Sequence, residues 1–185
     1  MKKLNAGCGN DYREGWVNMD FNKEVKADIY HNFEKIPYPF KDNTFDLIFL
    51  DNSLEHIQNI LNAIDELWRI SKPGAIIEIY VPHFSGIYAT KHLTHYHQFG
   101  IGSFDFYKRI SGLDKGFNGE RYGKARFDIL KQKLIYFHHK SIEIPFLSKL
   151  PVNPIFNFSR KWQLFTEKFL PLKFDEVYFK LKVIK

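Results

Sequence analysis

Cysteine is almost absent: Cys8 is the only one in 185 residues. A lone cysteine excludes an internal disulfide and fits a reducing compartment. No apolar run approaches the ~20 residues that a membrane span requires. The basic start, Met1-Lys2-Lys3, is followed by a short strand pattern and a glycine turn rather than by the apolar core of a leader. A cytoplasmic protein is therefore the expectation. Internal repeats, low-complexity tracts and blocks of like charge are also missing. The net charge of +6 and pI of about 9.2 are spread along the chain. That leaves nucleic acid or an anionic membrane surface open as partners without requiring either. What the chain has in quantity is aromatic side chains, 19 Phe and 10 Tyr. Flat apolar substrates, a subunit interface or a core of large residues each account for such a content. The length suits a single domain over 1–185 with a sizeable core.

The most informative stretch runs from Leu4 to Asp20. A short apolar segment enters Gly7-Cys8-Gly9, and a second short segment, Val17-Asn18-Met19, ends on the Asp20 carboxylate. Glycine lets the backbone turn sharply and lets a ligand lie against it. An acid at the end of the next strand can accept hydrogen bonds from both hydroxyls of a ribose, the logic of a nucleotide-type site at the carboxyl edge of a parallel sheet. Asp20 follows Gly7 too closely for a full crossover helix, since dinucleotide folds place the acid about 20 residues on. Cys8 between the glycines reads as a small residue in a tight turn, because no cation or base nearby would activate its thiol.

Asn5-Ala6-Gly7-Cys8-Gly9 resembles the first motif of class I S-adenosylmethionine-dependent methyltransferases. Ile36 to Phe40, Phe45 to Phe49, Leu54-Glu55-His56-Ile57 and Lys72-Pro73-Gly74 are similar, in the same order, to the type 11 methyltransferase domain. The resemblance covers roughly Met1 to Pro82. It implies an α/β, Rossmann-like, doubly wound and mostly parallel sheet with an antiparallel last strand. It implies S-adenosyl-L-methionine as cofactor, contacted by Asn5, Ala6, Gly7, Cys8, Gly9, Asp20, Asn32, Phe33, Asp51, Asn52 and His56. Asn32 stands where the family commonly carries an acid near the adenine amino group, and its side-chain carbonyl can still accept a hydrogen bond. Phe33 reads equally as an adenine platform and as a core aromatic.

Strands are expected at Lys2–Ala6, Ala27–His31, Phe45–Leu50, Ala75–Val81 and Ile129–Phe137, and over Val177–Val183, where apolar and polar residues alternate. A helix follows Leu54, Ile57, Leu61, Ile64 and Leu67, ended by Lys72-Pro73-Gly74. The segment after Val81 is rich in histidine and hydroxyl side chains. It begins where α/β sheets bind ligands, so His83 and His95 are candidate bases on the acceptor side. His92, His95 and His97 have the residue type of metal ligands, but no cysteine or carboxylate pattern accompanies them and no metal is expected. Glycines alternating with charges from Ser111 to Arg126 suggest a mobile loop. An insertion at about 141–174 places Trp162, Phe165 and Phe169 on one helical face; it reads as an extra helical layer, an acceptor-side cover or an association surface.

These readings converge on a methyltransferase acting on a small-molecule, lipid or glycan-linked acceptor, as monomer or homodimer, with peripheral membrane contact open. The alternatives are an RNA or protein methyltransferase, which the dispersed charge does not favour, and a cofactor-binding protein without catalysis.

Overall fold

The computed structural model describes residues 1–107, 123–136, 152–170 and 173–185. Seven strands form one sheet: β1 (Lys3–Ala6), β2 (Val17–Asp20), β3 (Ile29–Tyr30), β4 (Phe45–Asp51), β5 (Ser71–Pro82), β6 (Phe127–Ile135) and β7 (Glu176–Val183). Their order is β3-β2-β1-β4-β5-β7-β6. The first five pair in parallel, and β7 runs antiparallel between β5 and β6. This is the doubly wound sheet with an antiparallel last strand that the sequence implies. The chain winds outward from β1 to β3, then returns to β4 on the other side of β1. Ligands of open α/β sheets bind at such a reversal, outside the carboxyl ends of the strands.

The crossover from β1 to β2 contains no helix. Two buried asparagines hold it instead. Asn5 Nδ2 donates to the Asp11 carbonyl (2.6 Å) and to Asn18 Oδ1 (3.2 Å), while Asn18 Oδ1 accepts from the Arg13 N–H (2.9 Å). The Arg13 guanidinium lies 3.7 Å from the centroid of the Phe49 ring, closing the loop over the sheet. Helix α1 (Ile60–Ile70) links β4 to β5 and buries Ala63, Ile64, Leu67 and Ile70. These are the apolar positions of a 3.6-residue period, so α1 packs as its pattern dictates. Arg69 and Glu66 of α1 also fasten the proline-rich loop: Arg69 donates to the Tyr38 and Phe40 carbonyls, and Glu66 accepts from the Tyr38 N–H.

The helix expected from Leu54 begins only at Ile60, after a separate 3-10 turn at Leu54–His56, and its other end differs from the expectation as well. Helix α1 ends at Ile70 and Ser71 already pairs with Phe45, so Lys72-Pro73-Gly74 lies inside β5 rather than capping the helix. The ladder register shifts between Phe45 and Leu47, and Gly74 takes φ +76°, a break that accommodates the proline.

After β5 come α2 (Ile87–Lys91), then β6, then α3 (Val152–Phe156) and α4 (Arg160–Phe169). Most of the expected 111–126 loop, and the insertion up to residue 151, lie outside the described residues. The end of that loop is pinned to α1, where the Asp65 carboxylate accepts from the Lys124 and Ala125 N–H groups (both 2.8 Å). Among the described residues, no helix is long and apolar enough to cross a membrane.

Candidate functional site

The carboxyl ends of β1, β2 and β4 open into a cleft of about 1160 Å³. Of the eleven residues implied as cofactor contacts, ten line it: Asn5, Gly7, Cys8, Gly9, Asp20, Asn32, Phe33, Asp51, Asn52 and His56. Ala6 does not. Its side chain is fully buried in β1 and supports the cleft from below.

Each wall has a local cause. Gly7 takes φ +73°, and a Cβ there would sit 2.2 Å from Ser53 Oγ. Only glycine fits this position, both for conformation and for space. Ser53 was not a sequence candidate. Its hydroxyl lies 3.1 Å from the Asp51 carbonyl and 3.3 Å from that of Gly7, tying the ends of β1 and β4 together. Gly9 also has positive φ, but a Cβ there would meet nothing within 4 Å, so its backbone faces open cleft. Asp20 is largely buried. One carboxylate oxygen accepts from the Gly9 N–H (2.7 Å) and the other from the Asn22 N–H (2.9 Å). A carboxylate has about four lone-pair sites, so two stay available to a ligand hydroxyl.

The position of Phe33 is compatible with both of its expected roles. It is buried edge-on against Tyr38, with ring centroids 5.6 Å apart, and it also lines the cleft. The Asn32 side-chain carbonyl accepts from the Glu34 N–H (2.9 Å), which fixes the turn that presents Phe33. The Cys8 thiol is buried, and burial, with the nearby Asp20 carboxylate, pushes its pKa up to about 11. A thiol held protonated in this way is inert, in keeping with a structural residue.

On the same cleft, His56, Thr94 and Tyr96 share a stretch of wall. The Tyr96 N–H donates to the Glu55 carbonyl (2.8 Å), bringing the histidine-rich segment against the Leu54–His56 turn. His95 lies behind His56, with ring centroids 4.6 Å apart. Burial lowers the pKa of both rings, and each is lowered further by a neighbouring histidine. Burial pushes Glu55 the other way, up to about 8, with the Asp51 and Glu176 carboxylates adding to it.

His83 has no place on the cleft wall. Its side chain is 1% exposed, Nε2 meets Glu167 Oε1 at 2.9 Å and Nδ1 meets Ser85 Oγ at 2.8 Å. The Ser85 N–H also points at Nδ1 (3.2 Å), so Nδ1 accepts and Nε2–H donates to Glu167. The pair pins α4 to the end of β5. His83 is thus a packing residue here, and His95 does not line the cleft either; of the segment after Val81, Thr94 and Tyr96 do.

Comparison with known proteins gives the same reading of the amino-terminal half. A family model described as a methyltransferase domain matches residues 7–79. An uncharacterised protein of Methanocaldococcus jannaschii is 33% identical over 96 residues, covering 42% of this chain and 40% of that protein. A demethylmenaquinone methyltransferase of Listeria monocytogenes is 30% identical over 86 residues, covering 42% of this chain and 36% of that protein. The matches thus span well under half the length of these relatives. A solved structure, a SAM-dependent methyltransferase from Archaeoglobus fulgidus, superposes with TM-score 0.61 at 15% identity, covering 98% of this chain and 85% of that one. That likeness extends the fold past the matched motifs into the second half. Residues 7–79 thus match the methyltransferase domain family, and the sheet has the fold of the class I S-adenosylmethionine-dependent methyltransferases.

Proposed function

We propose that the cleft binds S-adenosyl-L-methionine and that the protein transfers its methyl group to a small-molecule, lipid or glycan-linked acceptor. The observation that carries this reading is the Asp20 carboxylate facing the Gly7–Gly9 turn across two strand ends, with free lone pairs toward the cleft. The residues present fit the group. Asp20 would take the ribose hydroxyls, Phe33 and Asn32 the adenine, and the backbone around Gly7 and Gly9 the amino-acid portion. The cofactor supplies a methyl already activated on a sulfonium.

The protein's own contribution is then mainly positioning, and proximity and orientation alone can supply up to about 7–11 kcal/mol of barrier reduction. Ser53 fixes the relative placement of the two strand ends on which that positioning depends. We assign the corner formed by His56, Thr94 and Tyr96 as the acceptor end, because it lines the same cleft as the residues assigned to the cofactor. A concave cleft of this size suits an acceptor, or the headgroup of one, that enters whole.

Transfer of labelled methyl from the cofactor to a panel of quinones, phenols, lipids, glycans and total RNA tests the proposal. Product confined to the small-molecule, lipid or glycan arms supports it. Labelling of RNA or protein alone contradicts the acceptor assignment, and cofactor binding with no product in any arm contradicts catalysis.

A further inference from the structure

Beside the acceptor end of the cleft lies a group of side chains that methyl positioning does not use. Glu55 is 1% exposed, and neither of its carboxylate oxygens has a hydrogen-bond partner. Buried carboxylates are normally paired, hydrogen-bonded or bound to a cation, because desolvating them otherwise costs several kcal/mol. At the same place the His95 Nδ1 is buried and also has no partner. One ligand atom from each of Glu55, His56 and His95 lies within 4.8 Å of the others. The His92 ring is adjacent, 5.2 Å from that of His95.

The tautomer of His56 follows from its contacts. Its Nδ1 faces the Thr94 carbonyl (3.3 Å) and the Thr94 hydroxyl (3.0 Å). A carbonyl only accepts, so the proton belongs on Nδ1 and Nε2 keeps its lone pair. A histidine whose second nitrogen donates to a backbone carbonyl is the usual outer-shell arrangement of a metal ligand. Two imidazoles and one carboxylate, buried on the carboxylate side and open on the His56 side, form the donor set of a three-ligand site with a free position.

We propose that Glu55, His56 and His95 bind one divalent cation, with zinc best suited to this donor set, at the acceptor end of the cleft. This departs from the sequence expectation of no metal, because the carboxylate absent from the neighbourhood of His92–His97 in sequence is supplied by the Leu54–His56 turn. The free position faces the side of the cleft that His56 lines. There it would hold water or, on the methyl-transfer reading above, an oxygen of the acceptor. Cation binding itself does not depend on that reading.

The test uses the untagged full chain, stripped of metal and then titrated with Zn²⁺ by calorimetry and with Co²⁺ by visible absorption. The expected result is one ion per chain, with Co²⁺ bands characteristic of nitrogen and oxygen ligation. His95→Ala and Glu55→Gln should each weaken binding at least about 100-fold, since even outer-shell losses cost 10–100-fold. His56→Ala removes an exposed ligand with little consequence for folding and should do the same. His97→Ala should change nothing, because its Nε2 contacts the Gln58 carbonyl outside the group. A wild-type chain that takes up no stoichiometric ion overturns the proposal, as does uptake that survives all three ligand substitutions. Cofactor titration of the same stripped protein keeps this result separate from the methyltransferase reading: S-adenosylmethionine binding without metal uptake overturns the site alone.

Discussion

Helices α1 and α4 are nearly equal in length and both amphipathic, yet they face opposite ways. Helix α1 buries its apolar stripe, Ala63, Ile64, Leu67 and Ile70. Helix α4 buries Gln163 and Thr166 and leaves Trp162, Phe165 and Phe169 toward solvent. The contacts beneath α4 are polar. Gln163 Nε2 donates to the Gln132 carbonyl (2.9 Å), Arg160 meets Asp105 (2.6 Å), and Glu167 accepts from His83 and from the Ile101 N–H (2.6 Å). Its outer face is continuous: the Trp162 and Phe165 rings stack 5.4 Å apart, and Phe165 meets Phe169 at 5.2 Å. A periodic apolar pattern therefore identifies a face, while the partners available underneath decide which face turns inward.

The largest effect that would test this contrast is in α1. Leu67→Ala should cost about 2–5 kcal/mol of stability, the usual range for a fully buried leucine, read by denaturant unfolding with unchanged slope. A cost below 1 kcal/mol would mean that α1 is not seated on the sheet as described. In α4 the sensitive position is polar. Glu167→Ala leaves the His83 ring and the Ile101 N–H without their acceptor and should cost about 1–3 kcal/mol. A neutral outcome would dissolve the claim that α4 docks through its polar face.

The same carboxylate gives a pH signature. Burial works to raise the Glu167 pKa, but the His83 and Ile101 hydrogen bonds outweigh it and hold the group below its ordinary 4.5. The unfolded chain then takes up the proton first as pH falls. The stabilisation is complete above about pH 4.5 and fades below it, through the folded-state pKa. Glu167→Gln should flatten that part of the stability profile, measured by unfolding between pH 3 and 6. An unchanged acid limb would assign the acid sensitivity to other carboxylates. The smallest effect is expected at Phe165→Ser, within about 0.5 kcal/mol, as for other exposed sites. A loss above 2 kcal/mol would show that the aromatic face is covered in the folded protein.

The two halves of the chain also differ in how much of them could be read in advance. Up to Pro82, strand runs, the Gly7–Gly9 turn and Asp20 are local signals, and their spacing carries the geometry. Ten of the eleven implied contact residues reach the cleft for that reason, while Ala6 fails because β1 buries it. Ser53 went unnoticed because its role is to bridge two strand ends. The void it fills at Gly7 arises only when β1 and β4 lie side by side. Lys72-Pro73-Gly74 read as a helix stop because proline and glycine break helices, but here a shift in the ladder register takes them into β5. Beyond Pro82 the chemistry depends on long-range pairing. His83 is claimed by Glu167, and Glu55 and His95 meet through a backbone contact between Tyr96 and Glu55. No spacing rule connects residues so far apart in sequence.

The central claim is that the cleft at the ends of β1 and β2 is a cofactor site built on Asp20, and calorimetric titration with S-adenosylmethionine tests it most directly. The wild-type chain should bind one equivalent with micromolar affinity, and Asp20→Ala should weaken binding by about 1.5–3 kcal/mol, the worth of hydrogen bonds to a charged group. Absence of heat from the correctly folded wild type, or equal affinity in the Asp20→Ala chain, would contradict it.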